Sequence, residues 1–160
     1  MAFDIAKEHL RKAGLEDRIY EFEVSSATVE LAAQAVGCEP ARIAKTLSFM
    51  ADQKAVLIVA AGDAKVDNRR YKDEFGTKAK MLTPQEAEDL VGHAVGGVCP
   101  FGVKPGVRVF LDQSLKRFEE VYPACGSASS AVKLTIPELE TASGYLGWID
   151  VCKGWGEDSI

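Results

Sequence analysis

Hydrophobic residues recur at helical spacing in several stretches of this chain. Residues 4–13 show this spacing and end at Gly14, which predicts an amphipathic first helix. Residues 29–36 repeat the pattern before Gly37, and glycine suits the left-handed conformation that commonly ends a helix. Three further helix starts carry a side chain that can cap the first turn: Asp67, which opens a basic segment ending at Phe75, Thr83 in Thr83-Pro84-Gln85-Glu86, and Thr135 in Thr135-Ile136-Pro137-Glu138.

Other stretches either alternate between apolar and polar residues or are apolar throughout, and both patterns are typical of β-strands. Residues 42–49 read as a turn of helix running into a strand, and an apolar run follows at 55–60 after a tight turn at 51–53. These two runs predict a hairpin buried on both faces. The other predicted strands are residues 19–24, 107–111, 119–123, 131–134 and 147–152.

The order of these elements predicts the fold class. Strands interspersed with short helices indicate an α/β fold, and too few helices lie between strands for a doubly wound parallel sheet. We therefore predict a single domain over residues 1–160, with a curved, barrel-like mixed β-sheet surrounded by helices.

The composition is that of one soluble domain. The chain has 160 residues, of which 47% are hydrophobic and 27% are charged. No apolar run approaches the roughly 20 residues that a membrane-spanning helix needs. The first residues also lack the basic and apolar regions of a signal peptide. We therefore expect a cytoplasmic protein that does not enter a membrane.

Charge is distributed unevenly along the chain. The net charge of −5 argues against extensive wrapping of nucleic acid, yet residues 65–80 carry a local net charge of +3. A cluster of this kind is either a solvated face or a surface that contacts phosphates. The cationic residues that we predict to contact phosphates, called the phosphate patch below, are Lys65, Arg69, Arg70 and Lys72.

The cysteines and histidines do not form a metal-binding pattern. Cys38, Cys99, Cys125 and Cys152 include no C-x-x-C pair, and the chain has only two histidines. In a reducing cytosol these cysteines are expected to be free thiols. We therefore predict neither a metal site nor a bound cofactor.

One lysine lies in phase with large apolar residues. Side chains alternate across a strand, so Lys45 falls on the same face as Leu47 and Phe49. Such a lysine is either a residue at the edge of the core whose charged end reaches water, or a cation placed at the floor of a pocket. The spacing alone leaves both interpretations open.

A second candidate is the segment 96–106, which holds four glycines and two prolines. Glycine lets main-chain N–H groups approach a ligand closely, and proline stiffens the loop, so this segment could bind a carbonyl oxygen or an oxyanion. It could equally be a structural loop. The small polar loop 125–130 is most simply a hairpin connection. The chain lacks the P-loop, dinucleotide-binding and G-x-S-x-G motifs.

Taken in order along the chain, several motifs resemble the YbaK-type aminoacyl-tRNA deacylase family, which includes bacterial prolyl-tRNA editing domains. The resemblance implies hydrolysis of the ester that joins a wrong small amino acid, such as alanine or cysteine, to the proline tRNA, without a metal. It also implies a misacylated tRNA as the partner, with an aminoacyl-tRNA synthetase as a further candidate partner. The motifs are Ala32-Ala33 to Gly37, Arg42-Ile43-Ala44-Lys45-Thr46-Leu47, Gly62-Asp63, Gly96-Gly97-Val98-Cys99-Pro100-Phe101-Gly102, Leu111-Asp112 and Gly126-Ser127.

The resemblance also assigns roles to residues. Lys45 matches the essential lysine of the family, and Gly96 and Pro100 match its Gly-x-x-x-Pro loop, where this chain has Cys99 in place of the more usual serine or other small residue. We predict that Lys45, Gly96 and Gly97 form the catalytic site. The predicted substrate-binding residues are Thr46, Val98, Cys99, Pro100, Gly126, Ser127 and Ala128.

Two alternatives to a deacylase remain at this point. The same cleft in a non-catalytic module could bind a nucleotide or an aminoacyl-RNA end. A thiol enzyme using Cys99 would need a base nearby, and His93 lies six residues upstream.

Overall fold

The computed structural model describes residues 2–22, 28–93, 98–127 and 129–155. In these residues the helices are α1 (Ala2–Lys12), α2 (Val29–Val36), α3 (Asn68–Phe75), α4 (Pro84–Glu86) and α5 (Ile136–Ser143). The strands are β1 (Ile19–Glu21), β2 (Ile43–Ala51), β3 (Lys54–Ala61), β4 (Lys65–Val66), β5 (Arg108–Asp112), β6 (Glu120–Pro123), β7 (Ser130–Val132), β8 (Leu134–Thr135), β9 (Gly147–Ile149) and β10 (Cys152–Lys153).

The main sheet is mixed and curled, and in the described residues it has the strand order β8–β6–β2–β3–β5–β9. β2 and β3 are antiparallel, whereas β2 pairs with β6, β3 with β5 and β5 with β9 in parallel. Two short antiparallel pairs, β1 with β7 and β4 with β10, lie outside this sheet. The predicted α/β fold with a curved mixed sheet is confirmed.

The β2–β3 hairpin forms the centre of the sheet. Its turn places Asp52 and Gln53 at φ values of 53° and 65°, as a tight two-residue hairpin turn requires. β3 is buried from Ala55 to Ala61, which confirms the predicted burial on both faces. In the adjoining core, Tyr71 of α3 is fully buried and its ring lies 5.0 Å from that of Phe49 on β2.

The helix ends follow the capping residues in the sequence. Thr28 caps α2 and Gly37 ends it at a φ of 77°, and Asp67 caps α3. Thr83 and Thr135 form the two predicted capping boxes. After its first turn α4 widens into a π-helical segment, Ala87–Val91, which ends at Gly92. No helix in the described residues is long and apolar enough to cross a membrane.

Two predicted strands are interrupted in the structure. Residues 147–152 divide into β9 and β10, because the Val151 N–H donates to Asp112 Oδ1 and the Val151 carbonyl accepts from Asp67 N. Residues 131–134 divide at Lys133, whose N–H donates to the carbonyl of Arg18, so that β7 pairs with β1 and β8 with β6. Of the predicted strand 19–24, the structure describes residues 19–22, and β1 ends at Glu21.

Candidate active site

The candidate site lies along one edge of β2. On this side β2 pairs with β6 only at Ile43 and Ala44. Further along, Met50 N donates to the carbonyl of Lys80 at 2.8 Å, and Leu82 N donates to the carbonyl of Ser48 at 3.1 Å. Within the described residues, no strand pairs with residues 45–47 on this side, and a cleft lies beside them.

The cleft has a volume of about 450 Å³ and a mostly apolar lining. Its walls come from α2, from the segment before and at the start of α4, and from the strands around β2. Lys45 is the only charged residue among the described residues of the lining. The lining residues are Thr28, Val29, Ala32, Ile43, Ala44, Lys45, Thr46, Leu47, Ser48, Met81, Leu82, Pro84, Val98, Tyr122, Ala124, Ser130 and Ala131.

The ammonium group of Lys45 is held by main-chain oxygen atoms. Lys45 is half-buried, and its Nζ donates to the carbonyl of Gly62 at 3.3 Å and to the carbonyl of Ala64. Burial lowers the pKa of Lys45, and the negative charge of Asp63 is among the effects that partly oppose this shift. Lys45 therefore lines the cleft, and its ammonium group is held by the turn that follows β3.

This turn fits tightly against the segment before β2. A Cβ atom at Gly62 would lie 2.0 Å from the carbonyl oxygen of Pro40 and 2.7 Å from Val29 Cγ1. The Gly62 N–H also donates to the carbonyl of Ala41 at 3.3 Å. Glycine is required here because no side chain fits between the turn and its neighbours.

Thr46 and Val98 both line the cleft with Lys45. Thr46 Oγ1 is buried and has no hydrogen-bond partner among the described residues, so it can serve a ligand. Gly96 and Gly97, the other predicted catalytic residues, lie outside the described residues.

Cys99 and Pro100 are buried, and neither is part of the cleft lining. Cys99 Sγ lies 3.7 Å from His93 Nε2 and 3.7 Å from the carbonyl oxygen of Phe101. Burial raises the pKa of the Cys99 thiol far above its ordinary value and lowers the pKa of His93. A neutral thiol beside a neutral imidazole is a poor nucleophile, which argues against the thiol-enzyme alternative.

The loop before β7 is linked to the cleft by Ser127, which contacts Ser130, a residue of the lining. Gly126 adopts a φ of 86°, and Ser127 Oγ lies 2.8 Å from Ser130 Oγ. Ser130 and Ala131 line the cleft, whereas Gly126 and Ser127 do not, and Ala128 lies outside the described residues. Ser127 is therefore placed to orient a residue of the lining.

The phosphate patch lies on the surface next to the turn that holds Lys45. Lys65 on β4 follows Ala64 directly, and Arg69, Arg70 and Lys72 are exposed on α3. Arg70 is partly engaged, because its Nη1 donates to the carbonyl of Cys152 and lies 3.5 Å from Asp150 Oδ1.

Most cleft residues were not predicted from the sequence as site residues, and they include Thr28, Val29, Ile43, Ser48, Met81, Leu82, Pro84, Tyr122, Ala124, Ser130 and Ala131. The helical spacing of apolar residues predicted that Val29 lies on the apolar face of α2, and the capping box at Thr83 predicted that Pro84 begins a helix. Neither pattern predicted that these residues line a cleft. Met81 is 58% exposed although it is large and apolar, a property that only the structure reveals.

Comparison with known proteins identifies the family. The family model described as the aminoacyl-tRNA editing domain matches residues 23–142. The chain belongs to this family. An editing role and an interaction with tRNA follow from membership in the aminoacyl-tRNA editing domain family.

Relatives within the family include free-standing proteins and parts of larger enzymes. The chain is 50% identical to the uncharacterized protein YwhH of Bacillus subtilis (strain 168) over 97% of this chain and 99% of that protein. It is 26% identical to the proline–tRNA ligase of Bacillus cytotoxicus (strain DSM 22905 / CIP 110041 / 391-98 / NVH 391-98) over 78% of this chain and 20% of the ligase. The matched region is therefore about a fifth of that enzyme.

A solved structure of a candidate trans-editing enzyme for prolyl-tRNA synthetase superposes on this editing domain with a TM-score of 0.86. It is 29% identical in sequence, and the match covers 96% of this chain and 98% of that one. The hypothetical protein APE2540 superposes with a TM-score of 0.82 at 25% identity, covering 93% of this chain and 99% of that one.

Proposed function

We propose that this protein is a trans-editing deacylase that hydrolyses, without a metal, the ester between a small amino acid and the proline tRNA. Alanine and cysteine are the amino acids that we expect it to remove. The observation that carries this proposal is a half-buried lysine, Lys45, in the lining of an apolar cleft, with its ammonium group held by main-chain oxygen atoms.

The chemistry of ester hydrolysis suits this arrangement. Negative charge develops on the carbonyl oxygen in the transition state, and a fixed ammonium in a partly desolvated cleft stabilises that charge. Lys45 is fixed by two carbonyl oxygens, so it does not need to reorganise during the reaction. We assign to Gly96 and Gly97 the supply of main-chain N–H groups to the same oxygen.

The group that activates the attacking water is inferred from the residues that line the cleft. Among the described residues that line the cleft there is no carboxylate or imidazole that could act as a general base. We therefore propose that a ribose hydroxyl of the terminal nucleotide, next to the ester, activates the water.

The size of the cleft supports selection of a small amino acid. A volume of about 450 Å³ lies within the range of roughly 300–1,000 Å³ found for small-molecule sites, and it must receive both the aminoacyl group and part of the terminal nucleotide. Exclusion of larger side chains would then act as a second sieve after the synthetase. Thr46, Val98 and Ser130 are proposed to contact the aminoacyl group directly, and Cys99, Pro100, Gly126, Ser127 and Ala128 to shape the walls behind it.

The phosphate patch is proposed to bind the acceptor stem of the tRNA. Lys65 follows Ala64, whose carbonyl accepts a hydrogen bond from Lys45, so the patch begins next to the turn that holds this lysine. We expect the phosphates that follow the bound terminal nucleotide to contact the cations on α3.

The decisive experiment replaces Lys45 by alanine and measures release of amino acid from mischarged proline tRNA. Loss of one electrostatic contact to the transition-state oxygen typically costs about 3 kcal/mol, so we expect a fall of about 100-fold in kcat. Lys54→Ala is the matched control, because Lys54 is an exposed lysine at the far end of the same hairpin. Circular dichroism checks that both variants fold.

A panel of tRNAs charged with alanine, cysteine, serine and proline tests the substrate. Release from alanyl- or cysteinyl-tRNA of the proline type, with prolyl-tRNA spared, is the expected result. Undiminished activity in Lys45→Ala would remove this lysine from the mechanism. Tight binding of these tRNAs without release of any amino acid would instead establish the non-catalytic module.

A further inference from the structure

The turn that accepts the hydrogen bonds of Lys45 is itself held by an ion pair. Asp63 lies between Gly62 and Ala64, the two residues whose carbonyls bind the ammonium. Arg117 Nη1 lies 3.0 Å from Asp63 Oδ2, and Arg117 Nη2 lies 2.5 Å from Asp63 Oδ1. Two such parallel contacts fix both the distance between the guanidinium and the carboxylate and the orientation of one group relative to the other.

Arg117 is in turn held in place by its surroundings. Its Nε donates to the carbonyl of Ser114 at 3.0 Å. Its guanidinium carbon lies 4.8 Å from the ring centre of Phe118 and 4.9 Å from that of Trp155. An arginine placed against aromatic rings in this way keeps one orientation at a smaller entropic cost than a free surface side chain.

The segment that carries Arg117 is anchored directly on β3. Buried Ser114 Oγ accepts a hydrogen bond from Ala61 N at 3.1 Å, at the last residue of β3. Asp112 Oδ2 accepts from Ser114 N and so fixes the start of this segment. A continuous chain of contacts therefore runs from β5 through Arg117 and Asp63 to the oxygens that hold Lys45.

We propose that Arg117 is a positioning residue for Lys45, acting through Asp63 on the turn 62–64. The part of this proposal that concerns catalysis rests on the proposed function, whereas the effect on the position of the ammonium does not. Without Arg117 the carboxylate of Asp63 loses its two contacts with the guanidinium, whereas the turn keeps the main-chain contacts of Gly62 and Ala64. The two carbonyls then hold the ammonium of Lys45 less firmly.

An ordinary surface ion pair would not have this effect. The side chains of Arg117 and Asp63 are 24% and 28% exposed, whereas those of the pair Arg11 and Glu8 on α1 are 56% and 49% exposed. Exposed pairs contribute little, because water and salt screen them. Arg11→Ala is thus a matched control, since it also removes an arginine from a pair with a carboxylate.

The first experiment compares wild type, Arg117→Ala, Arg117→Lys and Arg11→Ala at one pH without any tRNA. Each protein is treated with a limiting amount of an acetylating reagent, and the modification of Lys45 relative to exposed Lys54 is measured by peptide mass spectrometry. We expect Arg117→Ala to change this ratio several-fold, because both the accessibility and the pKa of the Lys45 amine depend on the turn. Arg117→Lys should change the ratio less, and Arg11→Ala should leave it unchanged. An unchanged ratio in a folded Arg117→Ala protein would overturn the proposal.

The second experiment measures kcat and KM for release of amino acid from mischarged proline tRNA. Misplacement of a reacting group by about 1 Å can cost up to 100-fold, so we expect Arg117→Ala to lower kcat by about 10-fold or more with little change in KM. If Arg117 acts through Asp63, adding Arg117→Ala to Asp63→Asn will lower kcat little further. Fully additive losses would refute a path through Asp63.

The two experiments separate this inference from the proposed function. If the wild-type protein releases amino acid from none of the tRNAs, the proposed function fails, yet the acetylation ratio still decides whether Arg117 positions Lys45. If the wild type is active and Arg117→Ala keeps the full kcat, the catalytic part of the inference fails while the proposed function stands.

Discussion

Replacing Gly62 by alanine would place a Cβ atom 2.0 Å from the main-chain oxygen of Pro40. A carbon and an oxygen that are not bonded normally stay more than 3 Å apart, so one of the two backbones would have to move by about 1 Å. Gly62 is followed by Asp63 and Ala64, and the carbonyls of 62 and 64 hold Lys45. A shift of the turn is therefore expected to carry the ammonium with it.

The expected size of the effect follows from this clash. Forcing an extra carbon into a packed site typically costs about 1–3 kcal/mol, which for a domain of this length lowers the melting temperature by about 2–12 °C. A movement of about 1 Å at a catalytic group, the role that we propose for Lys45, can lower kcat by up to 100-fold. We therefore expect Gly62→Ala to lose most of its activity while still folding at 20 °C.

The assay measures melting by circular dichroism and amino-acid release at 20 °C. Gly147→Ala is the matched control, because a Cβ atom there meets nothing within 4 Å and Gly147 does not adopt a positive φ. A Gly62→Ala protein that melts like Gly147→Ala and has the wild-type kcat would refute the reasoning, since the turn would then have absorbed the clash without moving Lys45.

Two further predictions concern charge. Because burial lowers the pKa of Lys45, activity that needs the ammonium should fall with rising pH at a value below the ordinary lysine pKa of about 10.4. A rate–pH profile corrected for spontaneous ester hydrolysis tests this, and the fall should be absent from the residual rate of Lys45→Ala. Replacing Lys65, Arg69 and Lys72 together by alanine should raise KM for tRNA and leave kcat unchanged. If each contacts one phosphate, the slope of log KM against log salt falls by about 2–3, and an unchanged slope would exclude the phosphate patch from tRNA binding.

Elements that depend on neighbouring residues could be predicted from the sequence. The hairpin follows from an apolar run, a tight turn and a second apolar run, and the capping boxes at Thr83 and Thr135 need only three residues each. The hydrogen-bonding partners within these motifs are near in sequence, so the local pattern determines them. The fold class could be inferred because it depends only on the kinds of elements and their order.

Contacts across the sheet could not be predicted in this way. The ammonium of Lys45 binds carbonyls 17 and 19 residues further along the chain, and the pairing register of β2 and β3 determines which carbonyls lie within reach. Arg117 and Asp63 are 54 residues apart and meet because β3 and β5 run in parallel. Nothing in the residues around either position indicates the other.

The structure favours one of the two sequence-based interpretations of Lys45. A lysine at the edge of the core would extend its charged end into water, where the ammonium keeps its hydration. Here burial is the largest effect on the pKa of Lys45, and two main-chain carbonyls take the place of water. Partial burial disfavours the charged form of the lysine, and the two carbonyl contacts offset part of that cost.

The same geometry leaves the lysine able to act on a ligand. An ammonium has three N–H donors, and the described residues supply two acceptors, the carbonyls of Gly62 and Ala64. The cleft lies beside Lys45 because β6 pairs with β2 only at Ile43 and Ala44. The proposed function requires the third N–H to face the cleft, where an apolar lining leaves little water to compete for it. The turn 62–64 thus fixes the cation, and the proposed function requires that a substrate oxygen approach it along the unpaired stretch of β2.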